Sequence, residues 1–172
     1  LADHAALLDV LKGLRGMVVL SGYPAPLYDE ALPDWLRIER FAFDFAAGWD
    51  NAKAKNYWTE EDDALSQSPE RWRDQLGDGW GWLNPPFDFI TPWAMRCAQV
   101  KNLSGNIALL VPAAVGSNWF RDYVDGNAMV LALNGRIPFM PDQPTWGYPK
   151  DCMVCLYSPA WDAGFCVWSW RE

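Results

Sequence analysis

Two consecutive prolines end an apolar run in the middle of this chain and limit how it can fold. Residues 80–83 read Trp-Gly-Trp-Leu, and Asn84-Pro85-Pro86-Phe87 follows directly. Proline lacks a backbone N–H and has a fixed φ, so a regular ladder does not continue through this pair. The run is therefore predicted to be a buried strand whose end presents two acceptors rigidly, the Asn84 side-chain oxygen and the Pro85 carbonyl. Phe87 adds an aromatic ring beside them.

Two acceptors and an aromatic ring suit the chemistry of an amino group on a conjugated ring. The lone pair of such a nitrogen is delocalised, so the nitrogen is a poor nucleophile. Acceptors that bind its hydrogens would draw the nitrogen toward sp3 geometry and aim the lone pair at an electrophilic methyl group, while an aromatic side chain would stack on the ring. The competing interpretation is an ordinary proline-rich turn after a core strand.

A second apolar run carries a carboxylate at its end. Residues 41–43 are apolar, Asp44 follows, and small residues lead to Gly48. In a doubly wound sheet, ligands bind beyond the carboxyl ends of the strands. We expect Asp44 and Asn84 to lie side by side at the ends of neighbouring strands, although Asp44 could equally just end a strand or cap a helix.

The rest of the chain alternates strand-like and helix-like segments. Strands are predicted at residues 106–112, 128–133, 152–157 and 165–170, and helices at 88–101 and 119–123. The stretch 66–79 is polar, and Gly77 and Gly79 mark a loop into the central strand. These elements predict an α/β fold in three layers, with a mostly parallel sheet that ends in an antiparallel C-terminal strand pair.

Length and composition bound the organisation of the chain. Its 172 residues fit one domain, with residues 1–39 as a helix–strand–helix extension and 40–172 as the core. The formal net charge of −8 argues against holding nucleic acid by phosphate neutralisation alone. No apolar run approaches the ~20 residues that span a membrane. The four cysteines are expected to be reduced and buried, and the pair at 152 and 155 faces opposite sides of a strand, so no metal site is predicted.

Four segments in order carry a resemblance to a known family: FDFAA…NAKAKNYW, NPPF, ALLVPA…NWF and NGRIPF. Together they resemble the phage-type DNA N-6-adenine methyltransferases, the Dam family, over residues 24–157. The resemblance implies a trimmed Rossmann-like methyltransferase fold, S-adenosylmethionine as methyl donor and double-stranded DNA as partner. It also implies a phage or prophage gene whose product acts in the cytoplasm of a bacterial host. The stretch before residue 24 instead resembles the closing part of another class of DNA adenine methylases.

The resemblance assigns roles to residues by their position. The catalytic motif would be Asn84, Pro85, Pro86 and Phe87. Asp44, Ala46 and Asn51 would bind the cofactor, with the carboxylate accepting from the ammonium of its methionyl part and the small side chain leaving room for it. One of the carboxylates at 60–63 could reach the ribose, but the sequence does not choose among them, and a charge run is usually a solvated face.

The loop that ends at Lys150 is the candidate nucleic-acid contact. Arg136 belongs to the Gly-Arg-x-x-Phe element of the family, and the loop after it carries Trp146 and Tyr148 as stacking groups and Lys150 for a phosphate. We expect this loop to border the base pocket. An ordinary surface loop between two strands is the equally open alternative.

Other functions fit the same motif. Asn-Pro-Pro-aromatic also suits an RNA base, a protein glutamine amide or N4 of cytosine, each of which is a planar nitrogen. A different class of function is an inactive methyltransferase-like module that binds a partner through its tryptophan-rich surface.

Overall fold

A computed structural model of the chain describes residues 41–48, 51–137, 139 and 148–169. All of them belong to the unit Glu39–Glu172. The extension predicted for residues 1–39 lies outside the described residues, and its architecture stays a prediction. Trp146 also lies outside the described residues, so its predicted role stays a prediction.

Seven strands form one sheet at the centre of this unit. They are β1 (Phe41–Asp44), β2 (Asn56–Tyr57), β3 (Trp80–Leu83), β4 (Asn106–Pro112), β5 (Met129–Asn134), β6 (Cys152–Tyr157) and β7 (Gly164–Ser169), in the spatial order β2-β1-β3-β4-β6-β5-β7. The pairs β1–β2, β1–β3, β3–β4 and β5–β7 are parallel, while β6 is antiparallel to both of its neighbours. The predicted α/β class with a mostly parallel sheet is confirmed.

The two C-terminal strands differ from the prediction in one respect. They run in opposite directions as expected, but they do not pair with each other, because β5 lies between them and hydrogen-bonds to both. The antiparallel pairing of β6 is therefore with β4 and β5. Strand order was the error, since periodicity identifies a strand without identifying its neighbours.

Three helices pack beside the sheet: α1 (Pro69–Leu76), α2 (Thr91–Asn102) and α3 (Asn118–Tyr123). Helix α1 was not predicted within the polar stretch 66–79, while the loop predicted at Gly77 and Gly79 follows that helix directly. Ser68 caps α1 by accepting from the backbone N–H of Arg71 at 3.2 Å, and Pro69 suits its first turn. Trp72 and Leu76, four residues apart, give the otherwise polar helix one buried face.

The sheet is buried on both faces at β4. Ile107, Leu109 and Val111 belong to the core shared with the helices. Ala108 and Leu110 alternate with them and so point to the opposite face, yet they are only 4 % and 5 % exposed. Burial on both faces is what a three-layer arrangement requires. Within the described part of the chain, no helix is long and apolar enough to cross a membrane.

Candidate active site

The carboxyl ends of three adjacent parallel strands, β1, β3 and β4, meet at one edge of the sheet. Asp44 is the last residue of β1 and pairs with Trp82 of β3, so Asn84 lies just beyond it on the neighbouring strand. Asp44 and Asn84 therefore lie at the carboxyl ends of neighbouring strands, as predicted, while the side-by-side placement of their side chains stays a prediction. The same edge holds the end of β5 and the start of β6, because β6 runs antiparallel to its neighbours.

Asp44 is a buried carboxylate whose two oxygens each accept a backbone hydrogen bond. Asp44 is only 2 % exposed. One oxygen accepts from the N–H of Ala46 at 3.2 Å and the other from the N–H of Lys53 at 2.9 Å. Burial raises the pKa of Asp44, and the two hydrogen bonds and the charge of Lys53 oppose that rise only in part. An ionised carboxylate has about four lone-pair sites, so Asp44 retains capacity for a cationic donor.

An aromatic platform fixes the turn that follows Asp44. The rings of Phe45 and Trp72 stack with centroids 4.0 Å apart and an interplanar angle of 9°. Trp58 meets both rings edge-on, and its backbone N–H donates to the Asp44 carbonyl at 2.9 Å. Trp72 is itself anchored, since its indole N–H donates to the Ala64 carbonyl at 2.8 Å. The turn that carries the Asp44 carboxylate is therefore supported by closely packed aromatic side chains.

The loop after this turn is stabilised by its own side chains. Asn51 accepts from the N–H of Gly48 at 2.8 Å through its side-chain oxygen, so that oxygen is already engaged. Ala46 is half-buried against the core, and its N–H is used by Asp44. The assigned cofactor roles of these two residues stay predictions.

The acidic run is also partly engaged. The carboxylate of Asp62 accepts from the backbone N–H of Thr59 at 2.7 Å and from its hydroxyl at 3.2 Å. These contacts close the short 3-10 turn Glu60–Asp62, which follows β2. Glu60, Glu61, Asp62 and Asp63 are all exposed, so the structure does not choose among them as a partner of a ribose.

Asn84 has the most unusual environment at this edge. Its side-chain oxygen is buried, and no described group donates a hydrogen bond to it. A buried acceptor without a donor costs free energy, and native structures retain few of them. Pro85, beside it, is buried as well, while Pro86 is exposed. The strand end thus holds a desolvated acceptor that a ligand with an N–H group would satisfy.

Phe87 does not stand alone. Its ring centroid lies 5.8 Å from that of Phe139 and 5.6 Å from that of Tyr148, and both contacts are edge-to-face. Phe139 and Tyr148 also meet each other edge-on, with centroids 5.4 Å apart. Phe87 remains half-buried. The sequence predicted Phe87 and Tyr148 as separate stacking groups, whereas these two rings and that of Phe139 form a closed triangle.

The two ends of the β5–β6 connection lie against this edge. The N–H of Tyr148 donates to the Ile137 carbonyl at 2.8 Å, and the N–H of Ala113, just after β4, donates to the Asp151 carbonyl at 2.9 Å. Arg136 lies 4.0 Å from the Asp151 carboxylate, and Lys150 is exposed. The structure therefore brings Arg136, Tyr148 and Lys150 to the edge that carries Asn84, while Trp146 lies outside the described residues.

Sequence reasoning missed several partners of the site. Nothing in the local pattern pointed to the Lys53 N–H as a partner of Asp44, or to Trp58 and Trp72 as its support. Phe139 did carry a signal, because it ends the Gly-Arg-x-x-Phe element, but that element alone does not say which ring it meets. Across the residues described, no group of three or more potential metal ligands occurs.

Comparison with known families gives a match over most of the chain. The family model for DNA N-6-adenine-methyltransferase (Dam) matches residues 24–159, which include every strand but β7. The match begins at residue 24 and lends no support to the second resemblance predicted for the stretch before it. No curated protein matches the chain.

Proposed function

The chain belongs to the DNA N-6-adenine-methyltransferase (Dam) family and is an adenine-specific DNA methyltransferase, and we propose that its methyl donor is S-adenosylmethionine and its substrate an adenine flipped out of double-stranded DNA. The family match favours DNA adenine over the RNA, glutamine and cytosine alternatives. The site residues and their roles are inferred from the geometry at the carboxyl edge of the sheet.

The observation that carries this proposal is the buried, unpartnered oxygen of Asn84. An adenine N6 amino group brings two N–H donors, and one of them satisfies this acceptor. The Pro85 carbonyl takes the second hydrogen. With both hydrogens held, the nitrogen shifts toward sp3 geometry and its lone pair leaves the ring. Stabilisation of this kind acts mainly in the transition state, where preorganised dipoles in a desolvated site are most effective.

The residues around Asp44 fit the cofactor. S-adenosylmethionine supplies a sulfonium methyl group, which is electrophilic enough for an activated amine to attack. Asp44 would bind the ammonium of the methionyl part through the lone pairs that Ala46 and Lys53 leave free. One of the carboxylates at 60–63 would receive the ribose hydroxyls. Because β1 and β3 are adjacent, a cofactor held at the end of β1 would lie next to the end of β3, which Asn84 follows.

No dedicated general base is required at this site. After transfer the nitrogen is cationic and acidic, so it gives its proton readily to water or to a neighbouring acceptor. Phe87 contacts the flipped base with the part of its ring that Phe139 and Tyr148 leave accessible. Chemistry at this edge thus depends on positioning and polarisation.

The variant Asn84→Ala tests the proposal. It removes one acceptor from the amino group, so single-turnover methylation of DNA should fall by about 100- to 1000-fold, equivalent to about 3–4 kcal/mol. Binding of S-adenosylmethionine, measured by calorimetry, should stay close to that of the parent. Asn102→Ala, an exposed position at the end of α2, is the matched control and should not change the rate.

A nucleoside digest of the methylated DNA, analysed by mass spectrometry, identifies the product as N6-methyladenine or another base. Methyl transfer by Asn84→Ala at the parental rate would remove Asn84 from the mechanism. The proposal as a whole would then fail, because its central observation would have no chemical consequence.

A further inference from the structure

We propose that Phe139 and Tyr148 are positioning residues that hold the ring of Phe87 in the orientation the flipped adenine needs. This inference rests on the proposed function, since it concerns how the same site is kept ready. Nothing in the family match assigns a role to either ring.

The geometry is a closed triangle of three aromatic side chains. The three centroid separations are 5.4, 5.6 and 5.8 Å, and the three interplanar angles are 63°, 69° and 87°. Both the distances and the tilts are those of favourable edge-to-face pairs. In a closed triangle each ring is fixed by two others, so rotation of Phe87 about its side-chain bonds would break two contacts at once.

The two partner rings are themselves anchored to the sheet. Phe139 follows β5 and Tyr148 precedes β6, and these two strands pair antiparallel. Their extensions stay close, because the Tyr148 N–H donates to the Ile137 carbonyl at 2.8 Å. Nearer to β5 and β6 along the chain, the side chains of Arg136 and Asp151 lie 4.0 Å apart. Phe87 is thus oriented by a frame built on β5 and β6, not by its own proline-bounded loop alone.

This support from β5 and β6 explains how the ring of Phe87, which follows two prolines, is held in one orientation. Prolines fix the backbone φ at residues 85 and 86 but leave the side chain of Phe87 free to choose a rotamer. A flipped base needs a ring already in place, since reorienting it on binding would cost rate. The triangle supplies that preorganisation from residues more than fifty positions away in the sequence.

The experiment compares ring removal with ring retention. Tyr148→Ala and Phe139→Leu remove a ring, and each should lower single-turnover methylation at saturating DNA by about 10- to 100-fold. Tyr148→Phe keeps the ring and removes only the hydroxyl, so it should methylate like the parent. Affinity for S-adenosylmethionine and the melting temperature are measured on every variant, which separates loss of positioning from loss of fold.

A double-mutant cycle tests whether the rings act through Phe87. In a Phe87→Leu background, Tyr148→Ala should have little further effect, because the ring it positions is gone. If the two effects multiply instead, Tyr148 acts independently and the inference is overturned. It is also overturned if Tyr148→Ala matches the parent, or if Tyr148→Phe loses as much as Tyr148→Ala.

The Asn84→Ala variant distinguishes failure of this inference from failure of the proposed function. Loss of methylation in Asn84→Ala together with a fully active Tyr148→Ala rejects only the positioning role. Full activity in both rejects the mechanism from which that role was argued.

Discussion

Asp44 holds its own turn through two hydrogen bonds, and the proposed function gives the same carboxylate a ligand to bind. Its oxygens hold the N–H groups of Ala46 and Lys53, and burial raises its pKa. A group with a raised folded-state pKa contributes stability at low pH that is lost as the pH rises through that pKa. At neutral pH the ionised Asp44 is therefore a cost to the fold. A bound cationic ligand would offset this cost, because it would pair with the buried carboxylate.

This leads to a prediction on the pH dependence of cofactor binding. Only the ionised carboxylate attracts an ammonium group, so affinity for S-adenosylmethionine should fall as the pH is lowered. The fall should begin above the pH set by an ordinary aspartate pKa of 3.8, because the pKa of Asp44 is raised. Calorimetry across the acidic range measures it. Asp44→Asn should bind more weakly by about 2–5 kcal/mol and lose this dependence.

A ligand without the ammonium provides the control for that prediction. 5′-Deoxy-5′-methylthioadenosine retains the nucleoside and lacks the amino-acid part, so its affinity should not follow the titration of Asp44. Identical pH profiles for the two ligands would argue against Asp44 as the ammonium partner.

At the scale of elements, β3 fits its place because it carries glycine at position 81. A Cβ there would collide with the ring of Phe45 and lie 2.9 Å from the side chain of Leu76. Phe45 in turn stacks on Trp72 beneath the Asp44 turn. The strand that ends at Asn84 and the platform that supports Asp44 are therefore packed directly against each other.

We predict that Gly81→Ala disturbs both parts of the site at once. Overpacking in a filled core typically costs about 1–3 kcal/mol, so the free energy of unfolding in urea should fall by this amount. The methylation rate should fall as well, because Asn84 is three residues further along the same strand. Gly116→Ala is the matched control, since no heavy atom lies within 4 Å of its added Cβ. If the two variants are equally stable, the ring of Phe45 moves away from the added methyl group without a loss of stability.

The elements show which parts of the fold the sequence could predict. Strand β4 was predicted with its exact ends, because an apolar run stopped by proline is a local signal. Helix α1 was missed, since its polar composition concealed the two buried positions, Trp72 and Leu76. The place of β7 beside β5 was missed too. Strand order depends on contacts between distant segments, and one sequence does not encode these in its periodicity.

The sequence also predicted only part of the candidate site. Asp44 and Asn84 were placed correctly, because each ends a strand and parallel strands end at one edge. The triangle around Phe87 was not predicted, because its members come from three separate segments. The expectation of four buried thiols also needs correction, because Cys166 in the edge strand β7 is exposed while the other three cysteines are buried. The roles assigned to the site residues stay predictions.

For the molecule as a whole, the main physical difficulty is charge. A protein with a formal net charge of −8 approaches DNA against a repulsive field. Lys53, Arg136 and Lys150 belong to loops at the edge that carries Asp44 and Asn84. If this edge binds DNA as proposed, cations placed there would act on the phosphates next to the target base, and the acidic remainder would discourage binding elsewhere. DNA binding by this chain should therefore depend on a few local contacts.

The salt dependence of binding measures how many contacts there are. Three phosphate contacts predict a slope of about −3 for log K against log salt, since each contact contributes about −0.9. Lys150→Gln should reduce the magnitude of the slope by about 1. Lys101→Gln is the control: Lys101 lies in the last turn of α2, near the amino-terminal edge of the sheet, and donates to the Asn127 carbonyl, so the slope should not change. A slope of −6 or steeper in the parent, or an unchanged slope in Lys150→Gln, would show that DNA is held by a broader basic surface than this edge provides.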